Sequence, residues 1–168
     1  MTFLGKGCFG QVYKEERNGV TCAVRKIPKY RWNGMEDTEV LMDLDHDHII
    51  KCLSHHTEKG GHLLCIVMEF ADKGTLQTII AEQAQNIRCC DPDFKKFNIW
   101  RFISQLADAL NYLHTRRPPI LHMNLKPDNI LGQTQSCGTI RWKSGDCDIA
   151  KLSFTGDLPW SRLLWPSL

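Results

Sequence analysis

The first 70 residues alternate short apolar runs with turn residues, which is a pattern typical of β-strands. The pairs Asn18-Gly19 and Gly60-Gly61 lie between runs, and an Asn-Gly pair suits the left-handed backbone positions of a tight hairpin turn. The sequence therefore predicts an antiparallel sheet in this half. Its predicted strands include QVYK, VTCAVRKI, HIIKCLSHH and HLLCIVMEF.

One segment of this half has a helical period instead. Between residues 34 and 44 the apolar positions Val40, Leu41 and Leu44 recur as on one face of a helix. Acidic residues precede them, where the helix dipole favours negative charge. These acids are Glu36, Asp37 and Glu39.

After Gly74 the apolar residues follow a period of about 3.6, the repeat of an α-helix. Asp91-Pro92 offers a helix cap with a first-turn proline, and the pattern stops before Pro118-Pro119. We predict one long helix whose apolar stripe must pack against another surface. The stripe consists of Phe97, Trp100, Ile103, Leu106, Ala107, Leu110 and Leu113.

Composition limits the class of protein. The chain has 168 residues, of which 42% are hydrophobic and 24% charged, as expected of one globular domain or of two small lobes that share a cleft. The net charge of +2 is too small to indicate a nucleic-acid partner. No apolar run approaches the roughly 20 residues that a membrane span needs, so we expect no membrane contact.

The eight cysteines do not form a C-x-x-C pair, and several lie in apolar runs such as LLCIVMEF. A free cysteine in such a run behaves as a small hydrophobic residue. The sequence therefore predicts a reduced protein of the cytoplasm, with the nucleus as the alternative location.

Residues 4–12 read LGKGCFGQV and fit the pattern G-x-G-x-x-G-x-V. Glycines allow backbone N–H groups to approach phosphate oxygens, because no Cβ lies in the way. A dinucleotide-binding fold would require a helix after the third glycine, whereas Gln11 and Val12 lead into a predicted strand. A glycine-rich hairpin without a ligand remains the alternative for this motif alone.

Five further features follow the glycine motif in a fixed order. The chain continues with CAVRKI, the acidic helix, VMEFADKGTL, LHMNLKPDNIL and KSGDCDIAK. With this order, residues 2–151 resemble the protein kinase superfamily, and the LKPDN loop resembles its serine/threonine type. The resemblance implies an α+β, two-lobe fold, with an antiparallel N-lobe sheet, one helix, and a partial helical C-lobe.

The resemblance also implies a division of the chain. Residues 1–70 would form the N-lobe, with glycine loop, third strand, helix and hinge strand. Residues 71–151 would form a partial C-lobe with two helices, the catalytic loop and the metal-binding segment, and residues 152–168 an irregular tail. Kinase domains continue further, so the chain resembles a truncated domain whose open apolar stripe predicts a protein partner.

By resemblance, the chain would bind ATP and Mg²⁺ between the lobes. The backbone of the glycine loop would bind the phosphates, and the small side chain of Ala23 would leave room for the adenine ring. The backbone of the hinge between the lobes would form hydrogen bonds with the edge of that ring. The nucleotide-binding residues implied are Gly5, Gly7, Gly10, Val12, Ala23, Arg25, Lys26, Glu69 and Ala71, with Asn129 and Asp146 as metal ligands.

Two charged positions depart from the kinase pattern. Arg25 stands where the family has a lysine, and Lys26 would reach the phosphates only if the strand slipped by one residue, because neighbours point to opposite faces. Arginine keeps the charge but has a wider, planar geometry. On the helix, Asp37 stands where the family has glutamate and is one methylene shorter.

The catalytic motifs depart further. Asn124 takes the place of the catalytic aspartate, and an amide cannot act as a general base, although Lys126 can still neutralise phosphate charge. The loss lowers transfer by roughly 10²- to 10⁴-fold. Met123 replaces an arginine that, in many kinases, interacts with the phosphorylated activation loop. In the metal-binding segment, Cys147 and Asp148 replace the phenylalanine and the glycine of the family. Whether the chain is an enzyme stays open, and impaired or absent activity is expected.

The histidines of the segment DHDH (45–48) and of His55-His56 can be drawn as a metal site. No helical H-E-x-x-H or cysteine pair supports such a site, and a turn like the one that kinases have after this helix explains residues 46–50 better.

The preferred function is a serine/threonine-kinase-like domain that binds ATP and Mg²⁺ with weak or absent phosphotransfer. The alternative is a non-catalytic scaffold or fragment that acts only through protein partners.

Overall fold

The structure is a computed structural model that describes residues 1–7, 10–31, 36–85 and 98–145. Several predictions fall outside these ranges. They concern the Asp91-Pro92 cap, Phe97, the metal ligand Asp146, Cys147, Asp148 and the tail from residue 152.

The predicted antiparallel sheet of the first half is confirmed. It has five strands in the order β1-β2-β3-β5-β4, so β4 is an edge strand. All four pairings are antiparallel. The strands are β1 (Thr2–Lys6), β2 (Gln11–Arg17), β3 (Val20–Pro28), β4 (Cys52–Glu58) and β5 (Leu63–Glu69).

The turn between β2 and β3 has the predicted conformation. Asn18 and Gly19 have φ angles of 51° and 77°, so both residues adopt left-handed backbone. An asparagine tolerates this region and a glycine enters it without steric cost, which explains the choice of residues. The hairpin keeps β2 and β3 paired residue for residue from Gln11↔Lys26 to Arg17↔Val20.

The sheet buries apolar side chains on both faces. Successive residues of a strand point to opposite faces, so β3 divides its side chains between two clusters. The first face, called here the outer face, is formed by Cys22, Val24, Cys65 and Val67. The second, the inner face, is formed by Ile27, Cys52, Leu64 and Ile66 and packs against Leu41 and Met42 of helix α1 (Glu36–Met42).

The fourth strand begins later than the sequence indicates. The run HIIKCLSHH predicted a strand from residue 48, whereas β4 begins at Cys52. Ile50 N–H instead donates to the Ser144 carbonyl at 2.8 Å, and Ser144 N–H donates to the His48 carbonyl at 2.8 Å. Long-range pairing with the second half therefore takes residues 48–50 out of the sheet.

The second half combines helices with a small sheet. A three-stranded sheet has the order β6-β7-β8, and Phe102 of the long helix contacts Trp142 edge to face at 5.5 Å. A short 3₁₀ turn, Pro127–Asn129, precedes β7. The elements are β6 (Gly74–Thr75), α2 (Leu76–Gln85), α3 (Ile99–His114), β7 (Ile130–Thr134) and β8 (Ile140–Ser144).

Helix α3 differs from its prediction in its buried face. Asn98 caps it with extended backbone, and its side chain accepts from Arg101 N–H at 3.0 Å, so this helix begins at Ile99. Trp100 is 77% exposed and Ile103 48% exposed, although both belong to the predicted stripe. The residues of α3 that are buried are Gln105, Ala109 and Leu113.

The two halves meet along α1, α3 and the end of β8. Leu44 and Ile49 from the first half form one buried cluster with Ala109, Leu113 and Ile120 from the second. A parallel bridge joins Ile49 to Ser144. This contact holds the end of β8 beneath the inner face of the sheet. Among the helices in the described ranges, none has the length and apolar character needed to span a membrane.

Candidate functional site

The side chain of Arg25 lies on the inner face of the sheet. Its register partners are Val12 on β2 and Ile66 on β5, and directly paired residues share a face. Arg25 lines a small cavity together with Leu41 of α1 and Met68 of β5. The cation that replaces the family's lysine therefore lies between the sheet and α1.

Lys26 lies on the opposite, outer face. Its register partner is Cys65, and its Nζ is 3.3 Å from a carboxylate oxygen of Glu58. The strand does not slip, so the structure does not bring Lys26 to the site that contains Arg25. Of the two candidate cations, Arg25 is the one that lines the cavity on the inner face.

The cavity beside Arg25 reaches the segment that leads to Asp146. It has a volume of about 30 Å³, and Ser144 and Gly145 form its floor. The Ser144 hydroxyl is buried and has no hydrogen-bond partner among the described residues. The cavity is lined mostly by apolar side chains, and Arg25 and Ser144 are the polar side chains among its lining residues. Burial raises the pKa of the Cys52 thiol in its wall to about 11.

The glycine motif lies between β1 and β2. Gly7 N–H donates to the Gly10 carbonyl at 2.9 Å, and β2 follows directly. The strand after the third glycine agrees with the exclusion of a dinucleotide-binding fold. Gly10 also has a packing role, because a Cβ there would lie 2.1 Å from the Lys26 carbonyl oxygen. Around Gly5 a Cβ would meet no atom within 4 Å, which leaves this glycine open to a ligand.

The proposed adenine slot lies where β3 meets the end of β5. Ala23 pairs directly with Met68, and the next residue of β5, Glu69, pairs with Cys22. Ala23 is small and 9% exposed, so it leaves room for a flat ring against the inner face. Ala71, two residues beyond β5, is 7% exposed. The structure thus brings Ala23, Met68, Glu69 and Ala71 to one end of the sheet.

The Glu69 side chain, at the end of β5, binds three groups of the protein itself. Its carboxylate accepts from Lys143 Nζ at 2.7 Å, from Lys51 N–H at 2.8 Å and from Gln133 at 3.2 Å. The Glu69 carboxylate is therefore engaged by the protein itself, and the Glu69 N–H donates to the Lys51 carbonyl at 3.0 Å. Lys143 was not predicted from the sequence, because the segment IRWKS alternates apolar and charged residues and gives no local sign that this lysine is buried.

The predicted catalytic loop is held against the start of the metal-binding segment. His122 is buried; its Nε2 donates to the Gly145 carbonyl at 3.0 Å, and its Nδ1 accepts from Asn124 N–H at 3.3 Å. This pair of roles requires the neutral imidazole with the proton on Nε2. His122 therefore positions the backbone of Asn124.

Asn129 completes this network. Its side-chain NH₂ donates to the Asn124 carbonyl at 2.7 Å, and its own carbonyl accepts from Gly145 N–H at 2.8 Å. The NH₂ contact leaves the amide oxygen available for a cation, which fits the hard-oxygen preference of Mg²⁺. Asp146 is bonded to Gly145, so the two predicted metal ligands belong to neighbouring backbone segments. Asp146 itself lies outside the described residues.

The other loop residues face solvent. Met123 has a φ of 55° and is 50% exposed, and Lys126 is also exposed. Asn124 is half-buried between them. The arrangement can hold a phosphate and a divalent cation, and Asn124 can orient a hydroxyl by hydrogen bonding. It offers no carboxylate at the position of the general base.

The other charged predictions have different outcomes. His46 pairs with Asp108 at 3.3 Å, and His48 Nδ1 donates to the Trp142 carbonyl at 3.0 Å, so these histidines join the two halves and do not form a metal site. The side chain of Asp37 is outside the described part, which leaves its pairing with Arg25 a prediction.

The sequence matches the model of the family described as protein kinase domain over residues 1–153. It is 33% identical over 138 residues to Aurora kinase of Candida glabrata, covering 76% of this chain and 35% of that protein. It is 31% identical over 157 residues to a probable serine/threonine-protein kinase, nek3, of Dictyostelium discoideum, covering 89% of this chain and 13% of that protein. The chain thus spans about a third or less of these relatives' length.

The fold agrees with this match. The crystal structure of Rad53 1-466 in complex with AMP-PNP is similar with a TM-score of 0.67 and 29% identity, over 93% of this chain and 38% of that chain. The predicted fold class is confirmed, and the serine/threonine type is supported by these relatives. The chain belongs to the protein kinase family.

Proposed function

We propose that the chain binds ATP with Mg²⁺ between the inner face of the sheet and the loop that contains Asn124 and Asn129. The observation that supports this most strongly is the cavity shared by Arg25, Met68 and the Ser144-Gly145 segment. Three features of the proposed site lie there together. They are the cation of Arg25, Met68 in the wall of the proposed adenine slot, and the Ser144-Gly145 segment that precedes Asp146 in the sequence. A glycine hairpin without a ligand would not require this convergence.

In this proposal, different residues contact the phosphates, the adenine ring and the metal ion. Backbone at Gly5, Gly7 and Gly10 cradles the phosphates, and Arg25 supplies positive charge from β3. Ala23 and the backbone of Glu69 and Ala71 receive the adenine. Bound Mg²⁺ neutralises the charge of the phosphates, and Asn129 and Asp146 supply its protein oxygens.

Phosphate transfer is weak or absent in this proposal. Asn124 can orient the hydroxyl of a serine or threonine, but its amide does not accept the proton. Lys126, exposed beside it, can neutralise charge on the transferred group. The rate is then lower by roughly 10²- to 10⁴-fold than with a carboxylate at this position.

A second candidate is a protein-binding domain of the cytoplasm that needs no nucleotide. The observation that favours it is the outward side of α3, where Ile99 and Ile103 are 48% exposed and Trp100 is 77% exposed. Contiguous exposed apolar surface of this kind is typical of partner contacts. This candidate requires Arg25 and the cavity to be structural only.

Titration calorimetry of the purified chain separates the two candidates. The proposal predicts saturable binding of one ATP per chain in Mg²⁺, and weaker binding when EDTA removes the metal. An Asn129→Ala variant should lose this difference between Mg²⁺ and EDTA. A folded chain that releases no heat with ATP in either buffer would support the protein-binding domain instead.

A further inference from the structure

Three side chains with different donor atoms meet on the outer face of the sheet. His56 and Glu58 are two residues apart on β4 and so share a face, and Cys65 on β5 is the direct register partner of His56. One ligand atom from each residue lies within 4.8 Å of the others. His56 Nε2 is 3.5 Å from Glu58 Oε1, and the Cys65 thiol contacts the same carboxylate.

These donors are the ones that Zn²⁺ uses in proteins. Imidazole nitrogen, carboxylate oxygen and thiolate sulfur bind zinc at about 2.0 to 2.3 Å, so tetrahedral ligand atoms lie roughly 3.3 to 3.8 Å apart. The ligand atoms lie within 4.8 Å of one another, so the three groups need to approach each other by up to about 1.5 Å. The His56 and Glu58 side chains are partly exposed, and their rotation can supply this movement while the backbone of β4 and β5 stays in register.

The three residues of the cluster differ in burial. Cys65 is 0% exposed and packs with Cys22 and Val24 of β3, so its sulfur is held in place. The His56 and Glu58 side chains are 38% and 36% exposed, and a solvated ion can enter between them. Water can take the fourth ligand position on that side. The site is on the face opposite to Arg25 and is separate from the nucleotide cleft.

Lys26 occupies the cation position of Glu58 in the metal-free protein. Its Nζ lies 3.3 Å and 3.5 Å from the two carboxylate oxygens. A divalent ion must displace this ammonium from Glu58, which keeps the affinity lower than the ligand set alone would give. Lys26 thus competes with the metal ion for the Glu58 carboxylate. Removal of this lysine should raise the metal affinity, whereas removal of a ligand should lower it.

We propose that His56, Glu58 and Cys65 form a zinc-type metal site that joins the edge strand β4 to β5. On binding, the metal–sulfur bond replaces the S–H bond of Cys65, and the proton passes to water. Carboxylate and thiolate together balance the charge of the divalent ion. The bound ion adds a cross-link between two strands that already share backbone hydrogen bonds.

Cobalt titration of the untagged chain under reducing conditions tests the proposal, because a thiolate bound to Co²⁺ gives a near-ultraviolet charge-transfer band. We expect a band that saturates at one Co²⁺ per chain and disappears on addition of Zn²⁺. Cys65→Ser should abolish the band. Cys137→Ser, which removes an exposed cysteine elsewhere, should keep it. A band that survives in Cys65→Ser would overturn the proposal.

Three further variants keep the test decisive if Cys65→Ser does not fold. His56→Gln should weaken Co²⁺ binding by at least about tenfold, since even outer-shell changes cost about 10- to 100-fold. His55→Gln, the matched change on the adjacent residue of β4, should leave the affinity unchanged. Lys26→Met should tighten binding. Equal affinities for the two histidine variants, or weaker binding by Lys26→Met, would contradict the site.

Discussion

Arg25 and Lys26 are consecutive residues of β3, yet their side chains lie on opposite faces of the sheet and take different roles. Arg25 lines the cavity beneath α1, whereas Lys26 pairs with Glu58 at 3.3 Å on the outer face. Consecutive strand residues alternate between faces, so only one of the two can serve a nucleotide. The register with β5 assigns that position to Arg25.

The two cations should therefore respond differently to removal. We expect Arg25→Met to weaken ATP binding by at least about tenfold, a loss of about 1.4 kcal/mol, because a charge-assisted contact is worth about that much or more. Lys26→Met should bind ATP with unchanged affinity. Calorimetric titration of both variants measures the difference, and equal losses would show that the face assignment is wrong.

Asn124→Asp tests the missing general base. The His122 network holds the backbone of residue 124 in place, so a carboxylate introduced there can accept a proton from a bound hydroxyl. We expect transfer of labelled phosphate from ATP to a generic serine/threonine substrate to rise by up to roughly 10²- to 10⁴-fold.

Asn124→Ala is the matched control for this change, because it removes the amide without adding a base. It should transfer no faster than the wild-type chain. If Asn124→Asp and Asn124→Ala have the same low activity while both bind ATP, the absent carboxylate does not limit transfer.

Two glycines of the phosphate loop should differ in their effect on stability. A Cβ at Gly10 would lie 2.1 Å from the backbone oxygen of Lys26, and neither backbone can move without distorting β2 or β3. Gly10→Ala should lower the free energy of unfolding by at least about 1–3 kcal/mol, the usual cost of overpacking.

Gly5→Ala is the comparison for that variant. An added Cβ meets nothing within 4 Å, so the free energy of unfolding should change by less than about 0.5 kcal/mol. Its effect should appear in ATP affinity, because the methyl group hinders close approach of phosphate to the backbone. Urea denaturation of both variants measures the contrast. Equal destabilisation would argue against the close approach of Gly10 to β3.

The described cysteines should react in a fixed order. Cys137 is exposed, and its hydrogen bonds with the Thr139 side chain and backbone lower the pKa of its thiol. Burial raises the pKa of Cys22, and raises those of Cys52 and Cys65 to about 11. Thiolate is the reactive form, so iodoacetamide should modify Cys137 in the native chain and the other three only in denaturant. Peptide mass mapping checks this order; rapid native labelling of Cys52 would contradict it.

Local chemistry accounts for what the sequence predicted correctly. The Asn18-Gly19 turn and the opposite orientation of Arg25 and Lys26 follow from backbone preferences and strand alternation. These rules need only neighbouring residues. The antiparallel sheet and its order relative to the motifs were predictable for the same reason.

Long-range contacts account for the errors. Gln105 reads as polar, but its side chain accepts from Trp142 N–H at 3.0 Å, and this contact turns a polar position of α3 inward while Trp100 and Ile103 face outward. Periodicity could not reveal a partner 37 residues away. The late start of β4 has the same origin, because Ile50 pairs with Ser144. The Lys143–Glu69 pair also joins residues that are distant in sequence.

The central claim is that the cleft behind Arg25 binds nucleotide. Thermal unfolding of the wild-type chain with and without Mg-ATP tests it most directly, with Mg-GTP and Mg²⁺ alone as controls. A ligand of the native state at 100 times its Kd stabilises that state by about 2.7 kcal/mol, so Tm should rise by several degrees in Mg-ATP and by much less in either control. A folded chain whose Tm is the same with and without saturating Mg-ATP would contradict the account.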